Sequence, residues 1–123
     1  MMRERGYDPG LQALLDLDGQ VFVIDPKGDY WVKFVVHRVS PSPERPHGLD
    51  YSLTLHDSSG MRLVGVDNAH PARKSVRAGG RRRARDHKHR LGTVRPYVFR
   101  DAATLLEDFW TEVDHALKDR GVI

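Results

Sequence analysis

The chain has 123 residues, of which 39% are hydrophobic and 30% are charged, values that fit one folded domain with a core of its own. It contains no cysteine, which excludes disulfides, zinc–thiolate centres and cysteine nucleophiles. It has no signal-peptide pattern and no run near the roughly 20 apolar residues that cross a bilayer. We therefore expect a single cytoplasmic domain over residues 1–123 with no membrane contact, either monomeric or a small homo-oligomer.

The first apolar pattern permits two interpretations. The leucines of Leu11–Leu17 have the spacing of a short helix. Asp18-Gly19 is a hairpin signal that would join strands over 13–17 and 20–24. We favour strands next to this turn, with a helix possible before it.

Three strands are predicted in the middle of the chain. Tyr30–Val39 carries apolar residues on both faces and predicts a central strand, which the prolines of 40–46 end. Tyr51–Leu55 alternates apolar and polar residues, as a half-buried strand does. The turn residues of 57–60 then predict a hairpin with Met61–Val66.

The end of the chain predicts a short last strand and a long helix. Tyr97–Phe99 is the strand, Asp101 is the helix N-cap, and Gly121 terminates a helix over 102–120. One apolar stripe follows the helix: Leu105, Leu106, Phe109, Trp110, Val113 and Leu117. The predicted class is α+β, a meander-like antiparallel sheet packed against a long C-terminal amphipathic helix.

Charge is distributed unevenly along the sequence. Residues 73–90 include nine of the 20 basic residues and one of the 17 acidic residues. We therefore expect a flexible basic loop at about 71–86 and a polyanionic partner such as RNA. The candidate RNA-binding residues are Arg73, Lys74, Arg77, Arg81, Arg82, Arg83, Arg85, Lys88 and Arg90.

Candidate catalytic residues flank this basic loop. If the ends of the loop meet, Asp67 and Asn68 would converge with His87 and His89, and an extended backbone would turn both imidazoles to one face. Such a pair can cleave a phosphodiester, one imidazole taking a proton from a ribose 2′-hydroxyl and the other protonating the leaving oxygen. This chemistry needs no cofactor.

Two other interpretations of these side chains remain open. The histidines can be merely solvated or bind phosphate without catalysis. Asp67, His70, His87 and His89 also have the ligand types of a His/carboxylate metal centre. However, the spacing of known zinc enzymes is absent.

The motifs also resemble a known family, the TumE-like toxins of toxin–antitoxin pairs. The resemblance extends from about residue 14 to residue 121 and preserves the order of the family's motifs. Val66 stands where the family typically has an aromatic residue, and the arginine-rich insertion 73–85 is another departure. The matching segments are Arg45-Pro46-His47-Gly48, Tyr51-Ser52-Leu53, Val66-Asp67-Asn68-Ala69-His70, Asp86-His87-Lys88-His89, Pro96-Tyr97-Val98-Phe99 and Leu105-Leu106-Glu107-Asp108-Phe109-Trp110.

The resemblance implies a growth-inhibiting toxin with a cognate DNA-binding antitoxin. The candidate functional residues that it transfers are Asp67, Asn68, Asp86, His87 and His89. Our leading hypothesis is a ribonuclease-type toxin, in which an aspartate, Asp67 or Asp86, orients a catalytic imidazole. The alternatives are a non-catalytic inhibitor that binds RNA or the ribosome, and a protein-interaction module whose basic loop docks on an acidic antitoxin segment.

Overall fold

The computed structural model describes residues 8–68 and 86–123. Within them the elements occur in the order α1 (Leu11–Asp16), β1 (Val21–Val23), β2 (Tyr30–Arg38), β3 (Leu49–Asp57), β4 (Arg62–Asp67), β5 (His87–Arg90), β6 (Thr93–Pro96) and α2 (Ala102–Asp119). The strands form one antiparallel sheet in chain order. This architecture confirms the predicted α+β meander with a C-terminal helix. Neither helix is long and apolar enough to span a membrane.

Helix α2 covers one face of the sheet. The Asp101 side chain accepts a hydrogen bond of 2.8 Å from the Thr104 N–H, which caps the helix as predicted. The aromatic rings of Phe109 and Phe34 are 5.7 Å apart, so the helix packs against β2. Trp110 is 38% exposed, which corrects its predicted place in the apolar stripe. It follows Phe109 by one position, which turns it to the border of the buried face.

The N-terminal hairpin that we favoured is wrong in its first half. Residues 11–16 form helix α1, and Leu14 is fully buried. The backbone after it pairs with β2: the Gly19 N–H donates to the Phe34 carbonyl at 2.7 Å. Gly10 lies so close to Ala103 that a Cβ there would come within 2.8 Å of the Ala103 nitrogen. Burial of the leucine side against α2 and the sheet explains why these residues are helical.

The predicted last strand, 97–99, is also wrong. The last two strands are β5 and β6, a hairpin with Leu91-Gly92 at its turn. Beyond β6, the Tyr97 N–H donates to the Asp86 carbonyl at 2.9 Å, and the chain then turns toward α2. The sequence His-Lys-His-Arg of β5 has no apolar alternation, so the pattern that identifies strands could not detect it.

The sheet has two different faces. The helix-covered face contains Phe34, which pairs with Leu53, and Val66, which also pairs with Leu53. The opposite face, here called the open face, contains Asp67 and its partner His87. Since side chains alternate along a strand, β5 presents His87 and His89 to the open face and its other two side chains to the helix-covered face.

A β-bulge in β4 changes which face Arg62 occupies. Leu55 pairs with Val64, whereas the next residue of β3, His56, pairs with Arg62, so Leu63 is the extra residue. Without the bulge, Arg62 and Val64 would share the helix-covered face. With it, the Arg62 side chain lies over Gly65, where a Cβ would be 3.3 Å from the Arg62 Cδ atom.

Candidate functional site

Asp67 and the two histidines of β5 form a cluster on the open face. The Nε2 atom of His89 lies 3.1 Å from Oδ2 of Asp67, and Nδ1 of His87 lies 3.9 Å from Oδ1 of the same carboxylate. The two imidazole rings are 6.1 Å apart. The histidine side chains are 18% and 16% exposed, so they are held in place and still reached by solvent. The structure thus brings together three of the five predicted catalytic residues.

The surroundings of His89 favour its neutral form. Burial lowers the pKa of the imidazole below its ordinary value, and the positive charges of Arg62 and His87 lower it further. The Asp67 carboxylate acts in the opposite direction but does not outweigh them. A neutral His89 that donates its Nε2 hydrogen to Asp67 keeps a lone pair on Nδ1, which can accept a proton.

Arg62 lies beside this cluster and was not predicted from the sequence. Its side chain lies over Gly65, and Gly65 is the cross-strand partner of His89. Because Gly65 has no side chain, the arginine can lie flat on the sheet beside the imidazole. Strict alternation along β4 assigns Arg62 to the other face, and only the bulge at Leu63 reverses this.

A ring stack extends the open face toward β2. Trp31 and His56 are cross-strand partners whose rings are 4.1 Å apart and nearly parallel, with an angle of 12°. The Nε2 atom of His56 is 2.9 Å from the Thr54 hydroxyl, which fixes the ring. His56 is also the cross-strand partner of Arg62. The open face therefore offers a flat π surface next to the arginine.

Asn68 follows Asp67 but is bonded to the backbone of β3. Its side-chain oxygen accepts from the Tyr51 N–H at 2.9 Å, and its side-chain nitrogen donates to the Leu49 carbonyl at 2.6 Å. The residue is 3% exposed. Both polar groups of the amide thus extend the β3–β4 ladder by one position. This placement suits a positioning residue, which holds Asp67 in register, more than a group that contacts substrate.

Asp86 precedes His87 and points to the helix-covered side, away from the two histidines of β5. The Tyr51 hydroxyl donates to it at 2.6 Å, and Nε2 of His47 lies 3.0 Å from the same carboxylate oxygen. Burial and the negative charge of Asp86 raise the pKa of the Tyr51 hydroxyl far above its usual range. Asp67, and not Asp86, is therefore the aspartate placed to orient a histidine of β5.

His47 was not among the predicted site residues, although it belongs to the Arg45-Pro46-His47-Gly48 segment. Its Nδ1 atom accepts from the Leu49 N–H at 3.3 Å, so its Nε2 carries the hydrogen that is donated to Asp86. Its ring lies 4.3 Å from that of Phe99. His47 thus links the loop before β3 to Asp86, the residue directly before β5.

The predicted RNA-binding residues of β5 lie on the helix-covered face, where they pair with acids of α2. Lys88 Nζ is 3.0 Å from Glu112, and the Arg90 guanidinium contacts Glu112 at 3.1 Å and Asp119 at 2.9 Å. Burial alone would raise the pKa of Glu112, but the hydrogen bonds and charges of Lys88 and Arg90 hold it below its ordinary value. These two cations thus bind the sheet to α2.

Several predicted residues lie outside the described part of the chain. They are His70 and the basic residues Arg73, Lys74, Arg77, Arg81, Arg82, Arg83 and Arg85, and most of the predicted basic loop lies there with them. Within residues 8–68 and 86–123, no group of three or more His, Asp or Glu side chains is arranged to hold a metal ion. The metal interpretation also requires His70, so the described residues alone do not form its ligand set.

Comparison with known proteins identifies the family. The family model described as Toxin TumE matches residues 22–117, which is most of the chain. No curated protein and no solved structure matches the chain significantly. The match includes the whole open-face cluster, and the family is that of the toxin of a toxin–antitoxin system with a cognate antitoxin. The chain belongs to the TumE toxin family.

Proposed function

We propose that this toxin inhibits growth by cleaving RNA at the open-face cluster of Asp67, His87 and His89. The observation that carries the proposal is the contact of 3.1 Å between Asp67 and His89 with the second imidazole 6.1 Å away. This is the arrangement of an oriented base beside a second proton-transfer group. Both rings are close enough to contact a single phosphodiester.

In the proposed reaction, His89 is the general base. Its neutral Nδ1 takes the proton of a ribose 2′-hydroxyl while Asp67 accepts a hydrogen bond from Nε2. The 2′ oxygen attacks the phosphorus, and the bond between phosphorus and the 5′ oxygen breaks. His87, in its protonated form, donates a proton to that leaving oxygen. The products are a 2′,3′-cyclic phosphate and a free 5′-hydroxyl.

Other open-face residues would bind the substrate. Arg62, whose side chain lies over Gly65, would stabilise the negative charge that develops on the phosphate oxygens. The Trp31–His56 stack would support a neighbouring base. The basic residues of 73–85 would contact the RNA backbone and add a salt-dependent affinity, a role that we predict from the sequence alone.

The test compares wild type with His87→Ala and His89→Ala, using total RNA and growth arrest as readouts. Each variant should lose about 10²–10⁴-fold in cleavage rate, because each removes one proton-transfer group. His37→Ala is the matched control, since that side chain is 58% exposed and lies outside the cluster. If both variants cut RNA and arrest growth like wild type, the proposed catalytic pair is wrong. Loss of wild-type activity with a chelator would support the metal interpretation.

A second candidate function is a non-catalytic inhibitor that binds RNA. The solvent-reached ring stack and Arg62 favour it, because base stacking and phosphate contact need no proton transfer. The two functions differ in one result. A non-catalytic inhibitor would stay toxic as His89→Ala, whereas the ribonuclease would not. Trp31→Ala should weaken toxicity in either case.

A further inference from the structure

The hairpin of β5 and β6 borders a groove against α2 that the proposed reaction does not use. Its volume is about 240 Å³, and it is lined by Lys88, Arg90, Thr93, Arg95, Glu112 and His115. Three of these residues are basic and one is acidic. Lys88 and Arg90 are paired with Glu112, and Arg90 also contacts Asp119, whereas Arg95 has no ion-pair partner in residues 8–68 and 86–123. Arg95 therefore leaves the groove with an excess positive charge, which favours a negatively charged partner.

Strand β6 is the edge of the sheet beside this groove. All four residues of β6 are exposed, and within the described sheet β6 is hydrogen-bonded to β5 on one side. The Tyr97–Asp86 hydrogen bond fixes the alternation of the ladder, so Arg95 and Lys88 are a bonded pair. Val94 and Pro96 consequently turn their backbone polar groups outward. Val94 offers an N–H and a carbonyl, and Pro96 offers a carbonyl alone.

The open-face side of the same edge carries the apolar residues Val94 and Pro96, the partners of His89 and His87. Val94 is 56% exposed and is the cross-strand partner of His89. Leu91 and Val98, at 55% and 71% exposed, flank it in sequence. Within residues 8–68 and 86–123, β6 pairs with β5 alone. Such an edge, with the exposed Val94 on one side and a cationic groove on the other, fits an added strand of alternating apolar and acidic residues.

We propose that the cognate antitoxin docks an extended, alternating acidic and apolar segment on the β6 edge. Its backbone would pair with Val94, its acidic side chains would contact Arg95 in the groove, and its apolar side chains would cover Val94. RNA is disfavoured here, because it has no backbone N–H and carbonyl ladder and no apolar side chains to match this edge. The family supplies the partner, since a TumE toxin has a cognate antitoxin.

Docking on β6 would place the antitoxin beside the two histidines. His89 pairs with Val94 and His87 pairs with Pro96, so only β6 would separate an added strand from the imidazoles. The antitoxin would then obstruct RNA at the open face. That obstruction rests on the proposed function, whereas the docking itself does not.

The test measures the affinity of the full-length toxin for the antitoxin encoded beside it. Val94→Pro removes the outward N–H and the valine side chain without breaking a hydrogen bond to β5, and Pro96 already occupies the equivalent outward position of β6. Arg95→Glu reverses the unpaired charge. Each change should weaken antitoxin binding at least about 10-fold. Hydrogen exchange should also show protection of the Val94 amide in the complex, while the Tyr97 amide reports that the hairpin is intact.

The matched control is Val21→Pro on the opposite edge of the sheet. Val21 is 52% exposed, and the Ile24–Tyr30 hydrogen bond places its N–H outward as well. This variant should bind the antitoxin like wild type.

The proposal is overturned if Val94→Pro and Arg95→Glu bind normally, or if Val21→Pro alone weakens the complex. It is also overturned if Arg95→Glu reduces affinity for RNA but not for the antitoxin, a result that would assign the groove to RNA. Because binding is measured without RNA cleavage, failure of the catalytic proposal would leave these results unchanged.

Discussion

Asp67 and His89 lie on adjacent antiparallel strands and meet diagonally, with 3.1 Å between carboxylate and imidazole. Asp67 directly faces His87 in the register, yet its closer side-chain contact is with His89. Diagonal neighbours on one face of a sheet are within reach of long side chains. The carboxylate therefore touches both imidazoles but orients only one of them.

Replacing Asp67 with asparagine tests this orientation. We expect Asp67→Asn to lower the rate of RNA cleavage about 10²-fold with little change in RNA affinity, because the imidazole loses its charged acceptor. It should also lower the pKa of His89, since Asp67 raises that pKa by charge and hydrogen bond. Cleavage assays and a histidine NMR titration measure the two effects. Asp29→Asn is the control on an exposed loop, and an unchanged His89 pKa would contradict the assignment.

Arg62 should lower the pKa of His89 in the native protein. Removing its charge by Arg62→Gln should therefore raise that pKa toward its ordinary value, and the acidic limb of the pH–rate profile should move to higher pH. NMR titration of His89 reports this whether or not the protein cleaves RNA. Arg38→Gln, an exposed arginine at the end of β2, should leave the titration unchanged. An unchanged or lower His89 pKa in Arg62→Gln would contradict the proximity of the Arg62 charge to this imidazole.

The lowered pKa of His89 also predicts how stability depends on pH. The unfolded chain binds a proton at His89 near pH 6.5, and the folded protein binds it only at lower pH. The free energy of unfolding should therefore fall as pH decreases below 6.5, until the folded-state pKa is passed. Above pH 6.5 this histidine contributes no pH dependence. Urea unfolding of His89→Gln should show a weaker decline than wild type, whereas His115→Gln, at an exposed position of α2, should follow wild type.

The buried contact between Tyr51 and Asp86 should stabilise the start of β5. Tyr51→Phe removes a hydroxyl that donates at 2.6 Å to a carboxylate which is 8% exposed. We expect a loss of about 1–3 kcal/mol in the free energy of unfolding, with faster hydrogen exchange in β5. Tyr30→Phe is a matched control, because that hydroxyl only accepts an exposed 3.3 Å hydrogen bond from Arg120. Equal losses in the two variants would contradict a special role for the buried contact.

Leu91 has a backbone conformation that glycine adopts more easily. Its φ angle is +53° at the turn between β5 and β6, a region that costs a non-glycine residue about 1–2 kcal/mol. Leu91→Gly should therefore raise the free energy of unfolding by about 1 kcal/mol. Leu91→Ala keeps the strained backbone and should give no such gain. Thermal unfolding of the two variants side by side measures the difference.

Much of the fold follows from periodicity in the sequence. The stripe from Leu105 to Leu117 and the cap at Asp101 predict α2, and the alternation of Tyr51–Leu55 predicts β3. These patterns involve residues close together in the chain, so they can be recognised in a single sequence. Strand β5 could not be predicted in this way, because ion pairs to Glu112 and pairing with β4 stabilise it and its own residues show no apolar pattern.

The candidate site was predictable only in part. Asp67 and His87 lie at the two ends of one long connection, and these ends meet because they join paired strands. This contact was predicted from the sequence. The separation of Asp86 and Lys88 from His87 follows from strand alternation, but only once β5 is known to be a strand. The position of Arg62 on the open face depends on a bulge at Leu63, and no residue pattern in β4 indicates that bulge.

Strand β4 ends at Asp67 and β5 begins at His87, and these two residues face each other directly. The chain between them connects neighbouring antiparallel strands at one point, so its length does not enter the register of the sheet. Lengthening such a connection costs little free energy, since the cost grows only logarithmically with its length. Family members can therefore gain or lose residues between Asn68 and Asp86 while the geometry of Asp67, His87 and His89 is preserved. Evolution can therefore alter the number of positive charges in this connection independently of the side chains proposed to do chemistry.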